Sequence, residues 1–293
     1  MTRVAAVDLG TNTTRLLVAD VADGRVDEII RRSIVTRLGE GVDERRRLLP
    51  VPIARVRNVL SGYRREAERL GVERTLAVAT SAVRDADNGE AFLGEIEWSY
   101  GFATRLLSGD EEAELTLRGV GAVDERTLVL DVGGGSTELT ADGLRTSLDV
   151  GAVRLTERYL HTDPPAHDEL DAAAAHVRAL LPELDVRAAV GVDGTVAQLQ
   201  ALTGELSLGA VERELARLAS LALAERRAVL NLDPARAPVI VAGVLIVREV
   251  LGRYGLDGLT YSVRDLLDGA ALEAAALPAP EEGAAPPGAY TCC

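Results

Sequence analysis

The chain has 293 residues, 47% of them hydrophobic and 27% charged, which is the composition of a globular protein of about two domains. Its net charge of −14 sets 46 acidic residues against 32 basic ones, all of them arginine. That balance excludes a general nucleic-acid binder, because neutralisation of phosphates supplies most of such affinity. No basic segment, apolar stretch and small-residue cleavage site follow Met1, and no apolar run approaches a membrane span. A cytoplasmic protein with no membrane partner is the expectation. The two cysteines, Cys292 and Cys293, adjoin each other in a Pro/Gly/Ala-rich tail and can neither staple a core nor complete a metal site.

In chain order, Arg3–Asp8 reads as a short buried strand with a turn at Leu9-Gly10. Strands 15–21 and 25–36 follow, separated by Ala22-Asp23-Gly24. Apolar residues at Val56, Val59, Leu60, Tyr63, Ala67 and Leu70 have helical spacing over 53–70. Strand 75–79, helix 88–98, strand 103–107 and helix 110–120 come next. At Arg126 the pattern restarts with strand 127–131, a glycine turn and strands 137–141 and 145–150. Helix 152–159, an irregular 161–165 and helix 168–181 lead to strand 188–192, and Asp193-Gly194-Thr195 opens another helix. A long apolar helix over 236–251 and a strand at 259–261 close the pattern. The alternation implies an α/β protein with largely parallel sheets covered by helices. The expected division is a first lobe at 1–122, a second at 123–277 and a disordered tail at 278–293.

The most informative feature is an internal repeat. Asp8-Leu-Gly-Thr-Asn-Thr-Thr-Arg-Leu16 aligns without a gap on Asp131-Val-Gly-Gly-Gly-Ser-Thr-Glu-Leu139. Asp, Gly, Thr and Leu coincide at the first, third, seventh and ninth positions, and a hydroxyl recurs at the sixth as Thr13 or Ser136. Both segments follow an apolar strand, so two related lobes on either side of a cleft are expected. Gly10 and Gly133, Gly134 and Gly135 let the backbone approach a ligand without a Cβ in the way, and successive amides then form a concave anion site. Thr11, Asn12, Thr13, Ser136 and Thr137 add polar side chains toward phosphate. Asp8 and Asp131, at strand ends, are placed to hold a divalent cation, since Mg²⁺ takes carboxylate, water and phosphate oxygens together. The copies differ in charge: Arg15 aligns with Glu138, a cation for phosphate on one side and an extra metal carboxylate on the other.

Together with Ala79–Asn88, Leu107–Leu115, Leu148–Glu157 and Gly191–Thr195, the two loops resemble the motifs of the exopolyphosphatase / guanosine pentaphosphate phosphohydrolase (Ppx/GppA) family. The resemblance spans about residues 3 to 275 and implies two duplicated ribonuclease-H-like lobes, the actin-like ATPase fold, with a cleft between them. It implies that Glu112 is the catalytic glutamate that orients and deprotonates the attacking water. Without the resemblance, Glu111-Glu112 would be read as a capping cluster after Ser108-Gly109-Asp110. Arg84, at a strand end, suits phosphate oxygens by its planar guanidinium; Arg154 and Arg264 are weaker candidates. The implied cofactor is Mg²⁺, with Mn²⁺ as an alternative, and the implied ligand is inorganic polyphosphate or a guanosine alarmone, with a homodimer left open.

Asp193 departs from the small residue common before Gly-Thr in that family, Val263 from an acid after the late serine, and the segment around Pro238 also lacks a common acid. His161, His167 and His176 fall outside every motif and read as surface residues of the second lobe. Larger members carry further helical domains that help hold long polyphosphate, so short chains are the expected substrate. Three functions remain in play: release of the terminal phosphate of polyphosphate, 5′-phosphohydrolysis of guanosine pentaphosphate, and a sensor that binds without turnover. A kinase of the same superfamily is a fourth, against which the Glu112 motif argues.

Overall fold

The computed structural model describes residues 1–141 and 143–278. It forms two compact units, one of Met1–Val120 with the stretch from Leu266, the other Gly121–Asp265. In the first, β1 (Thr2–Leu9), β2 (Thr13–Ala22), β3 (Arg25–Val35), β4 (Arg74–Ala79) and β5 (Ala103–Leu106) form a sheet ordered β3-β2-β1-β4-β5. In the second, β6 (Thr127–Val132), β7 (Thr137–Ala141), β8 (Leu144–Leu148), β9 (Ala188–Val192) and β10 (Thr260–Tyr261) are ordered β10-β9-β6-β7-β8. Read from the opposite edge, the second order is that of the first. The senses also agree: β1 is antiparallel to β2 and parallel to β4, as β6 is to β7 and β9. The duplicated ribonuclease-H-like fold implied by the resemblance is therefore present.

Each central strand is apolar on both faces because both faces are covered. Ala5, Val7 and Leu9 of β1 pack with Val56, Leu60 and Tyr63 of the helix Pro50–Arg69. Val4 and Ala6 pack with Leu266, Leu267, Ala270, Ala271 and Ala274 of the helix Leu266–Ala276. Residues 266–277 were expected in the second lobe; the structure places 266 onward in the first unit, because that helix closes the otherwise open face of the first sheet. It also lies against the helix Gly109–Val120, where Gly269 sits on the Leu115 carbonyl so closely that no side chain would fit.

The second core is built on Leu128, Leu130 and Val132 of β6 and the helix Ile240–Tyr254. That helix begins at Ile240 rather than 236, since Pro234 and Pro238 hold the preceding residues in turns. A helix at Leu208–Ala219, not read from the sequence, covers part of this core through Val211 and Leu218. Residues from 279 onward, with the expected disordered tail and both cysteines, lie outside the described residues. Among the described residues no helix is long and apolar enough to cross a membrane.

Candidate active site

The two glycine loops have one backbone frame. Gly10 donates its amide to the Thr13 carbonyl at 3.1 Å, and Gly133 donates to the Ser136 carbonyl at 3.1 Å. A Cβ at either glycine would lie 2.9 Å from Thr13 O or 3.2 Å from Ser136 O, so the close turn explains the residue type. The carbonyls that follow are tied back. In loop 1, Gly39 N donates to Thr11 O, and Thr36 N and Arg37 N donate to Asn12 O, at 2.8 to 3.0 Å. In loop 2, Ala152 N donates to Gly133 O at 2.9 Å and Val153 N to Gly134 O at 2.8 Å, both from the first turn of the helix Ala152–Tyr159. Arg154 Nε donates to Gly135 O at 2.8 Å.

With the carbonyls occupied on one side, the amides are left on the other. Those of Thr11 and Asn12, and of Gly134, Gly135 and Ser136, donate to no group among the described residues. Asn12 Oδ1 is likewise buried without a hydrogen bond. Arrays of outward amides at a strand end make an anion cradle.

The seventh residue of each loop does something other than expected. Thr137, assigned to ligand binding from its hydroxyl, is fully buried and donates to the Val150 carbonyl at 2.6 Å. Its counterpart Thr14 is as buried, with its hydroxyl 2.9 Å from that of Thr36. Both threonines anchor their loop to the segment that braces it.

Charge separates the two loops. Asp8 and Arg15 are directly opposed across β1 and β2, and Arg15 Nε donates to Asp8 Oδ2 at 2.8 Å with both side chains buried. Asp8 was expected at a metal and Arg15 at a phosphate; the register pairs them through Asp8 Oδ2, and Asp8 Oδ1 is buried without a hydrogen bond. Asp131 and Glu138 occupy the equivalent opposed positions of β6 and β7, and both are buried. Two like charges facing each other on a sheet are destabilising and favour a bound cation between or beside them. Glu138 also accepts from Ser147 Oγ at 2.7 Å, across from it on β8. No cluster of three or more potential ligands occurs among the described residues. Two carboxylates nonetheless fit Mg²⁺, which keeps several waters and takes substrate phosphate oxygens for the rest of its shell.

Glu112 lies in the first full turn of the helix Gly109–Val120 and is 6% exposed. Arg84, at the end of a short helical turn after β4, donates to the Leu107 carbonyl at 2.7 Å and reaches Glu112 Oε2 at 3.4 Å. Arg84, expected on phosphate oxygens, is thus brought beside Glu112, by the meeting of β4 and the Leu107 turn (Leu107 N to Ala79 O, 2.9 Å). Glu111 caps the helix, as anticipated: its carboxylate accepts from the Ser108 amide and hydroxyl at 2.8 Å, while its own amide donates to Ser108 Oγ. The bonds from Ser108, then Arg105, hold the Glu111 carboxyl at about 2. Adjacent glutamates therefore divide into a cap and a buried acid.

Of the remaining candidates, Arg154 is buried against loop 2, whereas Arg264 engages Ser262 through its backbone. Asp193 opens its helix in the left-handed region at φ 61, and Thr195 Oγ1 donates to Val132 O at 2.9 Å, fastening this turn beside loop 2. Val263 is exposed. His161 and His167 are exposed as expected, but His176 is half-buried, its ring 5.2 Å from that of Tyr159. Sequence reading missed the bracing segment Thr36–Gly39, and it took Leu148–Glu157 as a motif without showing that Val150 and Gly151 brace loop 2. Gly39 packs on the Thr11 side chain, and a Cβ on Gly151 would lie 2.5 Å from the Gly134 carbonyl carbon. Gly39 lies outside every motif and carries no local signal of its contact.

Comparison with known proteins bears on this arrangement. The profile of the Ppx/GppA phosphatase family matches residues 17–275. Exopolyphosphatase 2 of Mycobacterium tuberculosis is 38% identical over 316 aligned residues, covering 94% of this chain and 99% of that protein. A crystal structure of an exopolyphosphatase-like protein matches with a TM-score of 0.84 at 31% identity, covering 92% of this chain and 97% of the other. The Aquifex aeolicus PPX-GPPA enzyme matches at 0.76 and 29% identity, covering 93% and 99%.

Proposed function

The chain belongs to the Ppx/GppA phosphatase family, and on that footing we propose that it is an exopolyphosphatase, a phosphoanhydride hydrolase that releases the terminal phosphate of inorganic polyphosphate. The observation that carries this reading is the pair of loops with carbonyls tied back and amides left open, in a chain whose buried Glu112 stands beside Arg84. Phosphoryl transfer needs positioning and charge stabilisation more than covalent chemistry. The amides of Gly134, Gly135 and Ser136, and of Thr11 and Asn12, supply fixed donors for phosphoryl oxygens. Glu112 orients a water and takes its proton, and Arg84 holds the Glu112 carboxylate and the turn that carries it. Asp131 and Glu138 would hold Mg²⁺, or Mn²⁺ in its place, and the ion would neutralise charge on the phosphoryl oxygens. Asp8 holds Arg15 in loop 1 through Oδ2, and the metal role is assigned to the second loop, where two carboxylates are opposed.

Glu112→Gln tests the reading. Loss of the base should lower kcat by about 10²–10⁴-fold while equilibrium binding of polyphosphate persists. Phosphate release at the wild-type rate by this variant would sink the assignment. A parallel panel of polyphosphate and guanosine pentaphosphate, each with and without a chelator, decides between the two phosphoanhydride substrates. A wild-type protein that binds both but cleaves neither with any divalent ion would instead be a sensor.

A further inference from the structure

We propose that Arg45, Arg46 and Arg47 form a polyanion subsite that binds the internal phosphates of the polyphosphate chain, an inference that rests on the exopolyphosphatase reading. In this acidic protein most arginines of the described residues are ion-paired, as Arg3, Arg31, Arg55, Arg57 and Arg105 illustrate. The three consecutive residues 45–47 are all exposed, and none makes a side-chain hydrogen bond or ion pair among the described residues. They are three consecutive exposed cations that follow the acids Asp43 and Glu44 in the chain.

Their backbone connects them to the site on two sides. Upstream, Arg37 and Gly39 of the same segment donate their amides to the Asn12 and Thr11 carbonyls of loop 1. Downstream, Asp87 N donates to Arg46 O at 2.8 Å, and Asn88 bonds Leu48 twice, Nδ2 to O at 3.1 Å and N to Oδ1 at 2.8 Å. Asp87 and Asn88 close the turn that begins at Arg84. The triplet is thus strung between the loop-1 brace and the Arg84 turn.

Arg46 is also held at φ 53, in the left-handed region that glycine or asparagine occupies more readily. A strained backbone under an unpaired arginine is the kind of outlier that points to use. A flexible cation lacking an internal partner gains from a chain of phosphates, and gains more as more phosphates reach it. With only three arginines the gain should rise with chain length and then level off.

The experiment is binding in the Glu112→Gln protein, which separates grip from hydrolysis. Tripolyphosphate, chains of tens of phosphates and chains of hundreds are titrated against it, against Arg45→Ala/Arg46→Gly/Arg47→Ala in that background, and against Arg25→Ala/Arg65→Ala/Arg227→Ala, which removes equal charge elsewhere. Arg46→Gly suits the left-handed backbone, so the first triple should fold; Arg45→Gln/Arg46→Asn/Arg47→Gln provides a second version. Affinity for chains of tens should fall by about 10-fold or more in the site triples, as expected for loss of three charge contacts, with a smaller change for tripolyphosphate and none in the control triple. Equal losses in both kinds of triple, or no loss in either site triple, would overturn the subsite. So would a loss confined to single-stranded RNA run alongside. Absence of phosphate release by the wild type would refute the exopolyphosphatase reading while leaving these affinities to judge the subsite.

Discussion

Loop 1 and loop 2 share a turn, a register and a buried threonine, yet they differ in what their acids meet. In loop 1 the acid at the end of the strand faces an arginine and pairs with it through one carboxylate oxygen. In loop 2 the corresponding acid faces a glutamate, both buried. One residue at one register position turns an ion pair into two opposed carboxylates, the pair on which the proposed metal role draws. Duplication supplied the frame, and charge divided the labour.

The sharpest way to break this contrast is Asp8→Asn. It removes the charge that buried Arg15 faces, and breaking one side of a buried pair typically costs about 3 kcal/mol or more. Chemical denaturation at neutral pH should show a loss of that order. A stability change near zero would mean that Arg15 is balanced from elsewhere, and that loop 1 is less self-contained than its geometry implies.

Much of this was legible beforehand. The repeat, the two strand-end acids and the acidic helix start at Glu111-Glu112 follow from short, contiguous signals, whereas the role assigned to Glu112 came with the resemblance. What was not legible depends on distant contacts. Helix 266–276 is rich in alanine and leucine with no polar face, so its sequence does not show which unit it covers; burial against β1 decides that. Thr137 reads as a ligand hydroxyl until the carbonyl of Val150, thirteen residues on, is seen to accept its hydrogen bond. The Asp8–Arg15 pair needed the strand register, which the alignment of the two loops hid by suggesting a separate role for each residue.

The braces provide the second test. Gly151 is in extended backbone, and a Cβ there would lie 2.5 and 2.6 Å from backbone atoms of Gly134 and Gly135. Gly39 meets only the Thr11 side chain and Ala82. Gly151→Ala must displace loop 2 itself and should cost about 1–3 kcal/mol together with most phosphate release, whereas Gly39→Ala can be met by a turn of Thr11. Equal losses of turnover in the two variants would show that the loops are braced to the same stiffness.

The smallest effect falls on the threonine that both copies keep. Thr137→Val leaves the buried Val150 carbonyl without its 2.6 Å donor, while Thr14→Val leaves the Thr36 hydroxyl, which can rotate toward another acceptor. An unmet buried acceptor costs about 1–3 kcal/mol, and a rotatable hydroxyl at the lower end of that range. Thermal unfolding should therefore rank Thr137→Val below Thr14→Val, with binding of polyphosphate in the Glu112→Gln background little changed in either. If Thr137→Val instead keeps its stability and loses affinity, its hydroxyl serves the ligand after all, and the shared threonine has diverged in role as the opposed acid and arginine have.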